Sequence, residues 1–553
     1  MQLKAQYALL HRQLGSRQPG LPAIAALLGC SERNARMRLR KMQAEGWLHW
    51  QPGRGRGHRS TLEWLREPQQ LQLDELLQLV GRGELEQAFA RLKPAQRERL
   101  MARLPEFLGA SPPQRLLRMA VARPLTTLDP LLVFSSLEAH VVRQVFERLV
   151  GFDGTRQQVV PALAHHWESA AGARRWRFWL RPGLRFHDGT PLEAADVAAS
   201  VLRLRDQPNP WQRQYRHLRA IELHGAESIS FELGDEDQLW PQRLATANAS
   251  IVPRRRRADF ARLPIGSGAF RVERHNPLRL GLVANEQHYR ERPLIQRLEL
   301  WFISGGAGAF DLEPGVTAPT PGGRLQSACT YLLTPAGRRA LTGAARRDWA
   351  CFLASPPLVG AGDPQRLPAH ALLPDWPAVP LAGRARCPWP RGSRRVLVSL
   401  ALPGLRALGD ALQRRLGEAG VQLERRLLDH AAFERLDDWW HEADLVLCSE
   451  VLHDDRDYGC HEWWGSNRML RRALAPAAAT ALDRRLHAVQ RTPDAAQRAA
   501  LIESTGHWLV GEGWLLPLSH EWQGVHASAA LAGVQLGPNG WMDFSALWLK
   551  DSD

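Results

Sequence analysis

The basic charge of this chain is not spread along it, and that asymmetry limits the fold more than any other feature. Residues 1 to 66 hold twelve Lys/Arg against three Asp/Glu, a net of +9, whereas the other 487 residues share +6 of the total of +15. A compact cationic end on a nearly balanced body is the pattern of a separate module that meets an anionic polymer or surface. The length of 553 residues is likewise too much for one core, so about two to four domains are expected. With 44% apolar and 23% charged residues, the composition excludes disorder, collagen-like sequence and a coiled coil. Lysine occurs only at Lys4, Lys41, Lys93 and Lys550, so the excess is arginine, a bias that genome base composition produces.

The opening MQLKAQYALLHRQLGSRQPG has neither the unbroken apolar stretch nor the small-residue cleavage site of a signal peptide. No window supplies the roughly 20 apolar residues that span a bilayer, so a cytoplasmic protein with no membrane partner is expected. Cys30, Cys329, Cys351, Cys387, Cys448 and Cys460 form no CxxC pair, which indicates neither a zinc site nor a disulfide framework. No metal and no cofactor is expected.

In the basic end, Leu21 to Leu28 (LPAIAALL) reads as a short helix opened by Pro22 and broken by Gly29-Cys30, and Ser31 is a good N-cap for a second helix reaching about Ala44. Taking about 100° per residue from Arg33, Arg36 and Arg40 fall at about 300° and 340°, while Ala35, Leu39 and Met42 lie at about 180° to 240°. One face is basic and the other apolar. Beyond Gly46, Trp47 to Trp50 and Ser60 to Leu65 read as two strands around the hairpin Gln51-Pro52-Gly53-Arg54-Gly55-Arg56-Gly57-His58-Arg59. A short helix, a tight turn, a basic amphipathic helix and a Gly/Arg hairpin make a winged helix-turn-helix. Double-stranded DNA is the expected partner, met by Ser31, Arg33, Asn34, Arg36, Arg40 and Lys41 on the helix and by Arg54, Arg56, His58 and Arg59 on the wing. Taken singly, an arginine-rich helix face is more often a solvated surface, and GxGxG is a weak nucleotide-loop signal. A nucleotide loop, however, lies between a strand and a helix, not between two strands.

The run AALLGCSERNARMRLRKMQAEGWLHWQPGRGRGHRSTLEWL resembles the N-terminal domain of the SgrR-type transcriptional regulators, above all in Cys30-Ser31-x-Arg33-Asn34, Gly46-Trp47-Leu48 and Gly55-Arg56-Gly57. That resemblance implies a winged-helix regulator in residues 1–66. Residues 67–113 carry leucines at helical spacing, broken by Gly81-Arg82-Gly83 and Pro94, and read as a helical linker, either a coupling device or a passive spacer. Ser111-Pro112-Pro113 marks its end.

From 114 to 553, strand-like and helical runs alternate as in a large α/β body. Its most informative stretch runs from Trp176 to Leu192. A strand with period-two alternation leads to a Pro182-Gly183 turn, a second short strand, the turn His187-Asp188-Gly189 and a helix beginning near Glu193. Turn chemistry accounts for His187 beside Asp188, with no metal required. The stretch resembles the family 5 extracellular solute-binding proteins in Leu180-Arg181-Pro182-Gly183, Phe186 to Leu192 and Ala194-x-Asp196-Val197-x-x-Ser200. A second block, Pro264-Ile265-Gly266-Ser267-Gly268-Ala269-Phe270, also matches, with Ser267 where the family usually has Thr and Ala269-Phe270 where it has Pro-Tyr. Leu516-Pro517-Leu518, Trp522 and Gly540 to Ser545 resemble the close of SgrR-type proteins, so the likeness spans nearly the whole chain.

The resemblance implies a two-lobed periplasmic-binding-protein-like fold that closes by hinge motion. The second lobe is expected over roughly 395–500, opened by Val396 to Leu402, with Gly305 to Arg324 a structureless loop and Pro374 to Arg394 a passage between lobes. It further implies a phosphorylated sugar as small-molecule effector, held by arginine or backbone amides and by tryptophan faces. Arg143, Trp522 and Trp541 are the candidates for that role. Asp454, Asp455 and Asp457 stand where relatives place acidic ligand contacts, although an exposed acidic turn is the plainer account of them.

The function so implied is a DNA-binding regulator, an activator by resemblance and then a partner of RNA polymerase, whose effector alters DNA binding. The alternative is a transport solute-binding protein for peptides or sugars, which the basic winged helix opposes. No enzyme is expected. His461-Glu462 begins like a zinc-protease motif, but Gly465 stands where the second His belongs, and Gly29 to Arg33 fails as a nucleophile elbow because Arg33 replaces its closing glycine.

Overall fold

The computed structural model describes residues 3–15, 17–53, 60–68, 70–71, 116–121, 123–133, 135–302, 312–315, 324–325, 328–335, 340–360, 363, 365–537 and 539–550. These divide into two compact units, one taken from the first 109 residues and one from 110 onward. Most of the linker, 72–115, lies outside the described residues.

The first unit holds α1 (Leu3–Leu14), α2 (Leu21–Leu27), α3 (Glu32–Ala44), β1 (Leu48–Gln51) and β2 (Thr61–Trp64). Gly29 ends α2 with φ +58°, a left-handed value that a side chain resists. Ser31 then caps α3, its hydroxyl accepting from the Asn34 amide at 3.4 Å. β1 and β2 pair antiparallel from Leu48 opposite Trp64 to Gln51 opposite Thr61. The Tyr7 hydroxyl lies 2.7 Å from the Trp47 carbonyl and fastens α1 to the start of the wing. Tyr7, Leu10, Ile24, Leu39, Met42 and Leu48 share one core, so a region of few apolar residues still closes on itself.

The second unit is built on a long mixed sheet. Its order is 270–275, 279–284, 297–302, β3 (Leu116–Val121), 312–315, 516–527, 328–333, 445–451, 394–400 and 422–428. The strand Leu516–Ala527 belongs to both halves: Gly524 to Ala527 pair with Leu312–Gly315, and Leu516, Pro517 and Ser519 pair with Ala328–Leu333. In the far half, Arg394–Leu400 runs parallel to Gln422–Leu428 and to Leu445–Val451. Its residues alternate between two cores, Val398 and Val446 on one face and Leu397, Leu445 and Leu447 on the other, as a sheet covered on both sides requires. A smaller antiparallel sheet, 164–170, 175–180, 228–233 and 218–223, packs with the helix Ala194–Asp206 around Phe178, Val197 and Phe231. This is the two-lobed solute-binding fold that the sequence implies.

Two expectations need correction. The stretch 305–324 is not wholly irregular, because Leu312–Gly315 is a strand whose Leu312 is fully buried. It fills the gap between β3 and Leu516–Ala527, a place set by the tertiary fold, while Pro314 and Gly315 hide it from any propensity reading. The second strand expected within 176–192 is only a bridge between Arg185 and Pro191. The far half of the sheet also takes in Ala328–Leu333, which precedes the expected 395 boundary.

The small sheet and the second lobe are joined by a buried polar network. Arg243 donates from Nε to Asp237 at 2.7 Å and from Nη2 to Gln490 at 3.2 Å, and it also bonds Gln214. Gln214 in turn donates to Ser466 at 3.0 Å, and His217 lies 2.9 Å from Asp237. Asp237 and Arg243 are 0% and 1% exposed.

Candidate functional site

On the first unit, α3 presents the candidate face. Ala35, Leu39 and Met42 point into the core, and Ser31, Arg33, Asn34, Arg36, Arg40 and Lys41 are all exposed. The helix is held at the wing by the Gln43 carboxamide, which accepts from the Trp50 amide at 2.9 Å. A Trp64 indole hydrogen bond to the Gly15 carbonyl, 2.7 Å, secures β2 from behind. Four cations therefore stand on one side of a helix whose tilt the core fixes. Arg54, Arg56, His58 and Arg59 lie outside the described residues.

In the second unit a cleft of about 1230 Å³ is lined by residues within 140–155, 269–291 and 533–546, with Asp454 reaching it from the second lobe. Arg143, Asp454 and Trp541 all line it, brought together from positions far apart in the chain. Arg143 and Asp454 form an ion pair across the cleft, 2.8 Å. Burial pushes the Asp454 carboxyl up, but the Arg143 guanidinium outweighs it and holds the group below its usual range. Trp541 stacks on His140, ring centroids 4.9 Å apart and 12° from parallel. Burial, helped by Arg143, lowers His140 to about 3, so that ring is neutral.

The other ligand candidates fall elsewhere. Trp522 sits on the long strand opposite Leu325, its amide donating to the Gln365 carbonyl at 3.0 Å, and does not line the cleft. Asp455 is the N-cap of the helix Arg456–Ser466, accepting from the Tyr458 amide at 3.0 Å, and burial raises it to about 7. Asp457 lies in that helix's first turn, also raised by burial. The account of 454–457 as an exposed acidic turn fails as well, since Asp454 and Asp455 are largely enclosed.

Sequence reading missed His140, Glu147, Arg148 and His288, which also line the cleft. Glu147 lies 3.1 Å from the His288 ring; burial raises its carboxyl, and His288 with Arg148 and Arg290 bring it below the usual value. Arg148 donates from Nη1 to the carbonyls of Arg143 and Phe146 at 3.2 and 3.1 Å, which leaves its buried Nε without a protein partner. The available signal for the first of them was the i, i+3 pair His140 and Arg143 on one side of the helix Ser136–Val145. Among the described residues no group of three His, Cys, Asp or Glu is placed to hold a metal, and no helix is long and apolar enough to cross a membrane.

Comparison with known proteins places both parts. Residues 2–114 match the model for the sugar transport-related sRNA regulator N-terminus, and 158–313 match that for bacterial extracellular solute-binding proteins, family 5 middle. HTH-type transcriptional regulator SgrR of Yersinia pseudotuberculosis is 28% identical over 560 residues, covering 96% of this chain and 95% of that protein. The SgrR of Salmonella typhi is 29% identical over 576 residues, with the same coverage. Over nearly its whole length, then, the chain is similar to the SgrR-type transcriptional regulators, with a regulator-type N-terminal domain joined to a family 5 solute-binding body. Solved structures share the fold of its body: the oligopeptide-binding protein AppA of Bacillus subtilis, 14% identical, has a TM-score of 0.68 and covers 79% of this chain and 99% of its own. DppA of Helicobacter pylori, 16% identical, has a TM-score of 0.65, with 79% and 98% covered. In this chain the two family blocks hold each other. His187 accepts at Nδ1 from the Gly266 amide, 3.2 Å, and its Nε2 lies 3.0 Å from the Gly268 carbonyl. The signature is thus a structural clasp at the edge of the cleft wall.

Proposed function

We propose that this chain is a cytoplasmic, one-component transcriptional activator that binds double-stranded DNA through α3 and the wing and senses a sugar phosphate in the interlobe cleft. The observation that carries the reading is the union, in one chain, of an exposed four-cation helix face with a ligand-sized cleft. Arg33, Asn34, Arg36, Arg40 and Lys41 suit the major groove; Arg54, Arg56, His58 and Arg59 suit the flanking backbone or minor groove. In the cleft, Trp541 with the neutral His140 offers a flat stacking face for a sugar ring. Arg148, with a buried nitrogen still to be satisfied, and Arg143 suit a phosphate. Effector binding closes the lobes and changes DNA affinity, and as an activator the protein then contacts RNA polymerase. DNA must shift effector affinity by the same factor.

The test is fluorescence anisotropy of the full-length protein on a labelled duplex from upstream of its own gene, against a scrambled duplex, at two salt concentrations, with and without glucose 6-phosphate. Selective, salt-sensitive binding that moves with the sugar phosphate supports the whole reading. Selective binding indifferent to it removes the effector assignment. Absence of DNA binding leaves a solute-binding protein.

A further inference from the structure

The core side of α3 is set by Ala35, Leu39 and Met42, all fully enclosed. Counted at about 100° per residue from Arg33, those three centre near 205°, so the outermost line of the helix lies near 25°. Met37, at about 40°, is on that line. Arg36 and Arg40 stand to one side of it, at about 300° and 340°, and Lys41 and Asn34 to the other, at about 80° and 100°. Met37 is 63% exposed, the most exposed large apolar side chain among the described residues.

A single exposed apolar residue is ordinary on a protein surface. Met37 differs in its placement, at the crest of a cationic face where the flanking arginines are long enough to reach phosphates or base edges. A helix entering the major groove by this face puts its crest deepest, against the floor of the groove. The apolar feature on that floor is the C5-methyl group of thymine, and an unbranched thioether adapts its shape to such a contact. We propose that Met37 is a base-reading residue that packs on thymine methyl groups and selects thymine over cytosine where the crest of α3 meets the groove floor. The proposal rests on the DNA-binding reading above.

The experiment measures full-length wild type and Met37→Gln on the upstream duplex, once with thymidine and once with deoxyuridine throughout, which deletes only the methyl groups. Wild type is expected to bind the uracil duplex about fourfold more weakly for each methyl it covers. Met37→Gln, a surface change of similar length and helix propensity, should bind both duplexes alike. Equal binding of the two duplexes by wild type overturns the proposal. So does a uracil penalty that persists undiminished in Met37→Gln, since another residue then reads the methyl. Failure of wild type to prefer the thymidine duplex over a scrambled one removes the DNA-binding reading itself, and Met37 with it.

Discussion

His187, His140 and His461 are three histidines that the folded chain keeps uncharged, each for a local reason. At His187 the Gly266 amide donates to Nδ1, so the ring proton is on Nε2, and burial takes the group down to about 4. His140 lies under Trp541 and His461 is enclosed between helices, its Nε2 3.2 Å from the Leu486 carbonyl. Burial lowers both to about 3. The unfolded chain takes up these protons near pH 6.5, whereas the folded chain refuses them until about 4 at His187 and about 3 at His140 and His461, so their contribution is full at pH 7 and falls as the pH drops. Between pH 7 and pH 5, His140 and His461 should each withdraw about 2 kcal/mol. Urea melts at the two pH values check this, and His461→Asn should flatten the dependence. On α3, Arg36→Ala or Arg40→Ala should weaken specific DNA binding by about 1–3 kcal/mol if the side chain reads a base. Anisotropy titration of specific and scrambled duplexes decides it, equal loss on both marking a phosphate contact instead. The α3 residues were legible because helical periodicity sorts its faces within one turn. Arg143 and Asp454 are 311 residues apart, and no local pattern announces that they meet; the helix that Asp455 caps explains why neighbouring carboxylates do different work.

Glycine positions show at the scale of elements what a motif is for. A Cβ at Gly268 would stand 2.4 Å from the Gln144 carbonyl oxygen, and one at Gly266 2.1 Å from that of Val145. Both glycines let their segment lie against the end of the helix Ser136–Val145 that carries His140 and Arg143 into the cleft. Gly268→Ala should therefore destabilise the body by about 1–3 kcal/mol through overpacking and shift the cleft-lining helix, while the melting of the first unit is unchanged. Calorimetry that resolves two transitions checks this. From residue 21 onward the helices and strands of the first unit were legible in advance because Pro22, Gly29, Ser31 and Gly46 punctuate them, whereas α1 (Leu3–Leu14), with no such punctuation at its start, was not read. Leu312–Gly315 was not, since its partners, β3 and Leu516–Ala527, are supplied by distant segments and its own residues disfavour a strand.

For the whole molecule, the blocks at 176–192 and 264–270 implied the two-lobed body through their resemblance to the family 5 solute-binding proteins, and the structure joins them in one clasp. The course of the sheet was not legible, because Leu516–Ala527 serves both halves and only the assembled chain shows it. The network around Asp237 is equally a property of the assembly. With its carboxyl taken down to about 2 by Arg243 and His217 against the effect of burial, Asp237 is charged at any working pH. Arg243→Met leaves that charge short of its strongest partner and should cost about 3–5 kcal/mol, read as a lower midpoint for the body in thermal melts.

That same network bears on time as much as on stability. Parting the small sheet from the helix Pro476–Arg491 exposes a buried ion pair and breaks the Gln490 and Gln214 bonds together, so excursions of that kind are rare and short. Arg143 and Asp454, partly open to solvent, exchange partners far more readily. The body therefore yields first at the cleft, where one half-open ion pair must part, and last beside the small sheet, where several enclosed bonds must part at once.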